Sequence, residues 1–412
     1  MTVKSAEPQA GRGLLVLLLI VFINIAGFGV VIPLLPFYAQ SFGIPAWQVT
    51  ILFSAYSIGQ FIGEPLWGRL SDVWGRKPVL IGTMAAIGVS YVLLAFAPNY
   101  WAALALRLLG GIAGGNIAVT QAYVGDITPP EKRTSRLGLL GAVFGCGFII
   151  GPALGGLLVV GKAGSAGFRP PLLTAAALSA LAVAGIIGFL RETRHVETSR
   201  RQRAELRDAL RNPVIGQVML TTLVATGAFS AMEAIFGLWT GRRFNWGPHE
   251  VGLTFAGIGL LSAVMQALFT GWIVRKIGEA NTLALGLAIA GASLVAQAFA
   301  PNTPVLVAII PFTVIGISIT NPAIAGLVSL ASAPEQQGAM LGLNSALGAF
   351  ARIGGPVVAG ILFSSVSVDA PYVFAGLGLF PAAWLGWRIN HKLRQASDWP
   401  GRVSNLVPME KG

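Results

Sequence analysis

The chain has 412 residues, 54% of them hydrophobic and only 11% charged, with 53 glycines and a formal net charge of +12, and its mean hydropathy is +0.73. Soluble domains carry roughly 25% charged residues and about 7% glycine, so an ordinary soluble enzyme is excluded. A disordered chain is excluded too, because it needs much charge and few apolar side chains. A helical protein embedded in a bilayer is what remains.

Apolar runs of the ~20 residues that cross a bilayer predict six spans in the first half: Leu14–Leu35, Val49–Trp67, Val79–Phe96, Trp101–Val124, Leu137–Val160 and Leu172–Leu190. Six more are predicted at Val214–Leu238, Val251–Val274, Thr282–Ala300, Val305–Leu330, Met340–Phe363 and Tyr372–Ile389. Lipid offers backbone N–H and C=O groups no partner, so each run is expected to be a helix. The first run is too long for a signal peptide and lacks a small-residue cleavage site, so it reads as span 1. The expected organisation is a six-helix bundle over 1–190, a cytoplasmic linker over 191–212, and a second bundle with a tail over 213–412.

The loops give orientation. With the N-terminus inside, 22 of the 28 basic residues fall on the cytoplasmic side, four on the other, and Arg107 and Arg352 inside spans. That bias follows the positive-inside rule and puts both termini in the cytoplasm. The positive charge is thereby explained, and nucleic acid is not expected as a partner. The polar linker reads either as a solvated connector or as a short amphipathic helix lying on anionic lipid. The single cysteine, Cys146, allows no intramolecular disulfide and no Cys-based zinc site. His195, His249 and His391 are scattered through polar segments. No metal site, organic cofactor or catalytic constellation is expected.

The two halves repeat. Gly68–Leu80 aligns with Gly271–Leu283 at an offset of 203, and Ala97-Pro98-Asn99 recurs as Ala300-Pro301-Asn302 at the same offset. Pro130-Glu131 recurs as Pro334-Glu335, and Gly151-Pro152 as Gly355-Pro356, at 204. Parallel six-span repeats imply a pseudo-twofold axis along the membrane normal and a substrate site at the repeat interface near mid-membrane. The fold class expected is therefore an all-α membrane protein of twelve transmembrane helices, in two pseudo-symmetric six-helix bundles around a central cavity.

Four motifs carry a resemblance. Gly68-Arg69-Leu70-Ser71-Asp72-Val73-Trp74-Gly75-Arg76-Lys77 is similar to the loop 2–3 signature of the major facilitator superfamily. Arg107-Leu108-Leu109-Gly110-Gly111 is similar to its span-4 arginine motif, and Gly147 to Gly156, through Gly151, Pro152 and Gly155, to its span-5 antiporter motif. Asn24 to Gly29, continuing to Pro33 and Pro36, resembles the span-1 motif of drug exporters. Over nearly its whole length the chain resembles the twelve-span drug/proton antiporters of the tetracycline-efflux type. The resemblance implies a monomeric exporter in the bacterial inner membrane, partnered by a small molecule and the lipid bilayer, with protons as the coupling ion. It departs from the family pattern at Asn24, where the family usually has an aspartate.

The residues also have physical readings of their own. Gly68 and Gly75 permit a tight turn and close helix approach. Asp72, Arg76 and Asp126 can cluster at the cytoplasmic ends of spans 2 and 4, with Lys77 beside them. Such a cluster is either a gate or simple positive-inside anchoring, and acids set among the bases favour the gate. The span-5 glycines offer a flat packing face that Pro152 bends. Inside the spans lie Arg107, Glu233 and Arg352, each costing at least ~2.5–3.5 kcal/mol at the bilayer centre without a partner; Glu64 sits nearer an end. Thr222, Thr226, Phe229, Glu233, Phe236 and Thr240 step by three and four residues and so share one helix face, suited to a cavity wall. Desolvation favours a protonated acid and an approaching cation favours the carboxylate. Glu233 can therefore exchange a proton for a substrate, with Arg107 modulating it, or form a static salt bridge to Arg107 or Arg352. At ~100° per residue, Gln121 shares the side of Arg107, whereas Asn116, Thr120 and Tyr123 share another. Arg352 is open between neutralising Glu233 and meeting an anionic substrate. Substrate contacts are expected from Asn24, Gln121, Phe229, Phe236, Asn321 and Arg352. The function expected is export of a small amphipathic compound in exchange for protons, with a proton-coupled symporter or a lipid or anion exporter as the alternative.

Overall fold

The structure, a computed structural model, describes residues 7–128, 130–160, 164–193, 213–332 and 337–397. Most of the 191–212 linker, His195, the Pro334-Glu335 repeat and the tail after 397 lie outside the described residues. Among the described residues every element is helical, and the helices fall into twelve spans in the predicted order. Span 1 is Glu7–Val31, passing through a 3-10 turn at Ile32–Leu34 into Leu35–Gln40. Spans 2 and 3 are Ala46–Trp74 and Arg76–Ala95; span 4 is split into Tyr100–Gly114 and Ile117–Asp126. Spans 5, 6 and 7 are Pro130–Leu158, Arg169–Phe189 and Pro213–Phe244. Span 8 runs Pro248–Val264, through a π-helical turn at Met265–Thr270, to Gly271–Ile277. Spans 9 to 12 are Glu279–Ala298, Thr303–Ala331, Gln337–Ser365 and Ala370–Ser397. Nine of these helices are long and apolar enough to cross a membrane. Span 2 is not among the nine because its middle carries Tyr56, Ser57, Gln60, Glu64 and two glycines, Gly59 and Gly63.

The repeat seen in the sequence is present in the backbone and in its hydrogen bonds. Gly75 ends span 2 at φ +100, and its counterpart Gly278 ends span 8 at φ +79, a region that L side chains rarely adopt. Asn99 caps span 4 by accepting from the Ala102 amide at 3.0 Å, and Asn302 caps span 10 by accepting from Val305 at 3.1 Å. Ser90 donates to the Leu106 carbonyl, and Ser293, 203 residues on, to the Ile309 carbonyl, both at 3.0 Å.

The chain divides into two compact units that do not coincide with the two repeats. One holds the described residues to 193 together with Glu233–Ala263 and Ala359–Val368; the other holds the described part of 198–232 with Val264–Val358 and the residues from Asp369. In the first unit, small residues let backbones meet. A Cβ on Gly151 would lie 2.5 Å from the Ala26 carbonyl, and one on Gly155 would clash with the Val30 carbonyl, so spans 1 and 5 cross at van der Waals distance. Gly156, one position round the helix, faces span 8 instead, against Pro248 and Gly252. Gly59 and Gly63 of span 2 meet Leu108, Gly111 and Ile112 of span 4 in the same manner. In the second unit, span 9 packs against spans 10 and 12, where Gly286 meets Gly316 and Gly291 meets Gly376.

Candidate functional site

The loop 2–3 motif is mostly helix. Gly68 to Trp74 complete span 2, and Gly75 alone makes the turn before span 3 starts at Arg76. Gly68 neither turns the chain nor meets a neighbour within 4 Å of its Cβ position, so the expected close approach is confined to Gly75. Arg76 is buried, and its Nη1 lies 2.6 Å from Asp72 Oδ1 and 2.5 Å from the Ser71 hydroxyl, while Nε donates to Asp126 Oδ2 at 3.3 Å. The structure thus brings Asp72, Arg76 and Asp126 together, tying the end of span 4 to the turn between spans 2 and 3.

A residue that sequence reasoning missed completes the cluster. Glu192, just beyond span 6, accepts from the Arg76 amide at 2.7 Å with Oε1 and from the Lys77 amide at 3.2 Å with Oε2. Thr193 donates to Asp126 Oδ2 at 3.2 Å, Tyr123 to the Arg191 carbonyl at 2.8 Å, and Lys77 Nζ to the Ile187 carbonyl at 2.9 Å. The available signal was an acid at the exit of span 6, submerged in a run that reads as a polar connector.

Arg107 is 4% exposed. Its Nε donates to the Leu52 carbonyl at 3.4 Å, and its guanidinium sits 4.4 Å from the centre of the Tyr56 ring. Both contacts are to span 2, brought near by the glycine crossing. A cavity of about 10 Å³, room for one water, lies beside the guanidinium, lined by Tyr56, Ser90, Tyr91, Leu106 and Gly110 among others. Phe28 stands 5.2 Å from Tyr56 and 6.1 Å from Phe148, linking the span-1 and span-5 motifs to span 2 through one aromatic row. Tyr56, Tyr91 and Phe28 were also missed; an arginine inside a span calls for an aromatic or acidic neighbour, and that was the signal.

The projection that put Gln121 on the side of Arg107 assumed one straight helix. Span 4 breaks at Gly115 and Asn116, so the angle does not carry across. Gln121 is exposed, whereas Asn116, Thr120 and Tyr123 are buried, Asn116 donating to Thr83 at 3.1 Å. Asn24 is half-buried on span 1 and Asn321 exposed on span 10.

The span-7 face is graded along its length. In the second unit Thr222 bonds Asn344 of span 11 at 2.7 Å, and Thr226 and Phe229 are half-buried. A Cβ on Gly348 would have both Arg352 Nη1 and Thr226 Oγ1 at 3.8 Å, which places Arg352 at the seam between spans 7 and 11. In the first unit Glu233 is half-buried, and Phe236 is 1% exposed, its ring 5.4 Å from Phe255 and 6.1 Å from Trp246. Thr240 is fully buried and turns its hydroxyl back to the Phe236 carbonyl. In this conformation the far end of the face is packed aromatic interior, and its open part runs from Thr226 to Glu233.

Duplicated six-span repeats, a charge network at one helix turn and a buried arginine on a glycine crossing describe a multi-pass membrane protein built from an internal repeat. The chain belongs to the Major Facilitator Superfamily, whose sequence model matches residues 17–246 and again 218–410. It is 31% identical to the tetracycline resistance protein, class G, of Vibrio anguillarum, over 90% of this chain and 92% of that one. It is 29% identical to the quinolone resistance protein NorA of Staphylococcus aureus (strain COL), over 87% and 92%. Among solved structures, a bacterial homologue of the human lysosomal transporter Spinster, in an inward-facing and occupied conformation, matches with a TM-score of 0.80 at 15% identity, over 94% of this chain and 98% of that one.

Proposed function

We propose that this chain exports a small amphipathic or drug-like compound across the bacterial inner membrane in exchange for protons, as a monomer cycling by alternating access with both termini in the cytoplasm. The observation that carries the reading is that two relatives aligned with nearly nine-tenths or more of the chain are a tetracycline and a quinolone resistance protein. In this reading Glu233 carries the proton, and with Asn24 in place of the family's acid the span-1 motif offers no second carrier. Arg107, held on Tyr56, modulates the proton affinity of that carboxylate. Asp72, Arg76 and Asp126, with Gly75 and Lys77, form the cytoplasmic gate, which is closed by charge-assisted hydrogen bonds and opens when they part. Asn24, Gln121, Phe229, Asn321 and Arg352 face the substrate, and Phe236 joins them when its aromatic packing loosens.

Cells expressing the intact chain should survive tetracycline or a quinolone better than cells expressing Glu233→Gln, and equal protection by both, or by neither, would sink the export reading. Arg107 and Arg352, two arginines within spans, favour a second reading in which the cargo is anionic. Proteoliposomes with opposed pH gradients separate the two: a cationic drug leaves against an inward proton gradient, whereas an anion moving with its protons runs the other way.

A further inference from the structure

Span 3 begins with Arg76-Lys77, two cations at the end of a helix where the macrodipole is positive, and no acid occupies its first turn. Its counterpart, span 9, begins with Glu279 and so carries its own acid there. The missing anion of span 3 arrives from 116 residues away: Glu192 presents one carboxylate oxygen to each of the first two amides. The fit is close, since a Cβ on Gly75 would lie 2.5 Å from Glu192 Oε2. On either side of Glu192, Arg191 and Thr193 hold Tyr123 and Asp126 of span 4. One tripeptide therefore grips both elements that the charge network joins.

We propose that Glu192 is a positioning residue of the gate. By fixing the backbone at Arg76 it aims the guanidinium at Asp72 and Asp126, and it obliges the segment leaving span 6 to let go whenever the network opens. The proposal rests on the gate reading above, and goes beyond it by making the exit of span 6 a moving part. Glu192→Gln keeps the shape and one acceptor but loses the charge; Glu192→Ala loses everything; Glu192→Asp keeps the charge on a shorter arm.

Hydrogen exchange read by mass spectrometry on the full chain in nanodiscs needs no substrate. The Arg76 and Lys77 amides should exchange about tenfold faster in Glu192→Ala, with Glu192→Gln between it and the intact chain, Glu192→Asp nearest to the intact chain, and spans 9 and 10 unchanged. In proteoliposomes, tetracycline efflux should lose about three- to tenfold in kcat with KM within about twofold, as expected of a residue that acts on the conformational step and not on binding. Unchanged exchange at Arg76 and Lys77, or faster exchange spread evenly over all spans, would overturn the proposal. So would accelerated exchange with an unaltered kcat. If the intact chain moves neither tetracycline nor a quinolone, the export reading fails, while the exchange data still decide the role of Glu192.

Discussion

Arg76 holds two carboxylates of unequal worth. The Asp72 side chain is 59% exposed and that of Asp126 only 15%. Solvent screens the first pair, and exposed ion pairs contribute ~0–1 kcal/mol. A hydrogen bond from a buried charged donor contributes about 1.5–3 kcal/mol, and Asp126 also accepts from Thr193. Asp126→Asn should therefore lower the thermal midpoint in detergent and slow transport clearly more than Asp72→Asn does. Equal effects would mean that the geometry around Arg76 is incidental. Arg76→Lys should behave like a loss of function, since one ammonium cannot serve Ser71, Asp72 and Asp126 in the planar arrangement that a guanidinium allows. At this scale the sequence spoke well for the network, because acids among obligatory bases stand out. It was silent on Glu192, whose partners are backbone amides that no side-chain pattern reveals, and on Tyr56, whose nearness to Arg107 depends on how closely two helices cross.

Elements were legible wherever lipid dictates them. Twelve apolar runs became twelve helical spans, because no other backbone arrangement satisfies its hydrogen bonds in hydrocarbon. What periodicity could not show is where a span stops being a straight α-helix: span 4 breaks at Gly115, span 1 takes a 3-10 turn at Pro33, and span 8 a π-turn at Met265–Thr270. The glycine-rich motif of span 5 meets span 1 on one side and span 8 on the other, a division that emerges only from the fold. Position therefore decides what a glycine is worth. Gly155→Ala drives a methyl into the Val30 backbone, which cannot yield as a flexible side chain would, and should cost about 1–3 kcal/mol of stability. Gly82→Ala, in the middle of span 3 with open space around it, should be neutral or stabilising by about 0.5–1 kcal/mol from helix propensity. Thermal unfolding of the two variants in one detergent checks the contrast, and a destabilised Gly82→Ala would contradict it.

Sequence divides this molecule by descent, into two repeats, whereas contact divides it by what touches what. The first compact unit recruits the ends of spans 7, 8 and 11 to the first six helices, and it does so at the ends remote from the Asp72–Arg76–Asp126 turn, since successive spans alternate in direction. Gly237 meets Pro36 and Phe37 there, Gly252 meets Gly156, and Gly360 meets Trp47 and Thr50. Under alternating access these contacts belong to one half of the cycle and must separate in the other. A Cβ on Gly360 would lie 3.2 Å from that of Thr50 and 2.8 Å from the Trp47 Cα, so spans 2 and 11 must ease apart by a few tenths of an ångström, which brings the pair to the roughly 3.5–4.5 Å that a disulfide requires. With Cys146 replaced by serine, the chain has no other thiol, so a Thr50→Cys/Gly360→Cys pair should oxidise cleanly within one molecule. Transport by the oxidised pair should fall at least about tenfold, the order of loss expected when a required conformational step is blocked, and dithiothreitol should restore it. A cross-linked chain that exports at the reduced rate would mean that spans 2 and 11 stay joined throughout, and the opening would then have to be sought on another pair of helices.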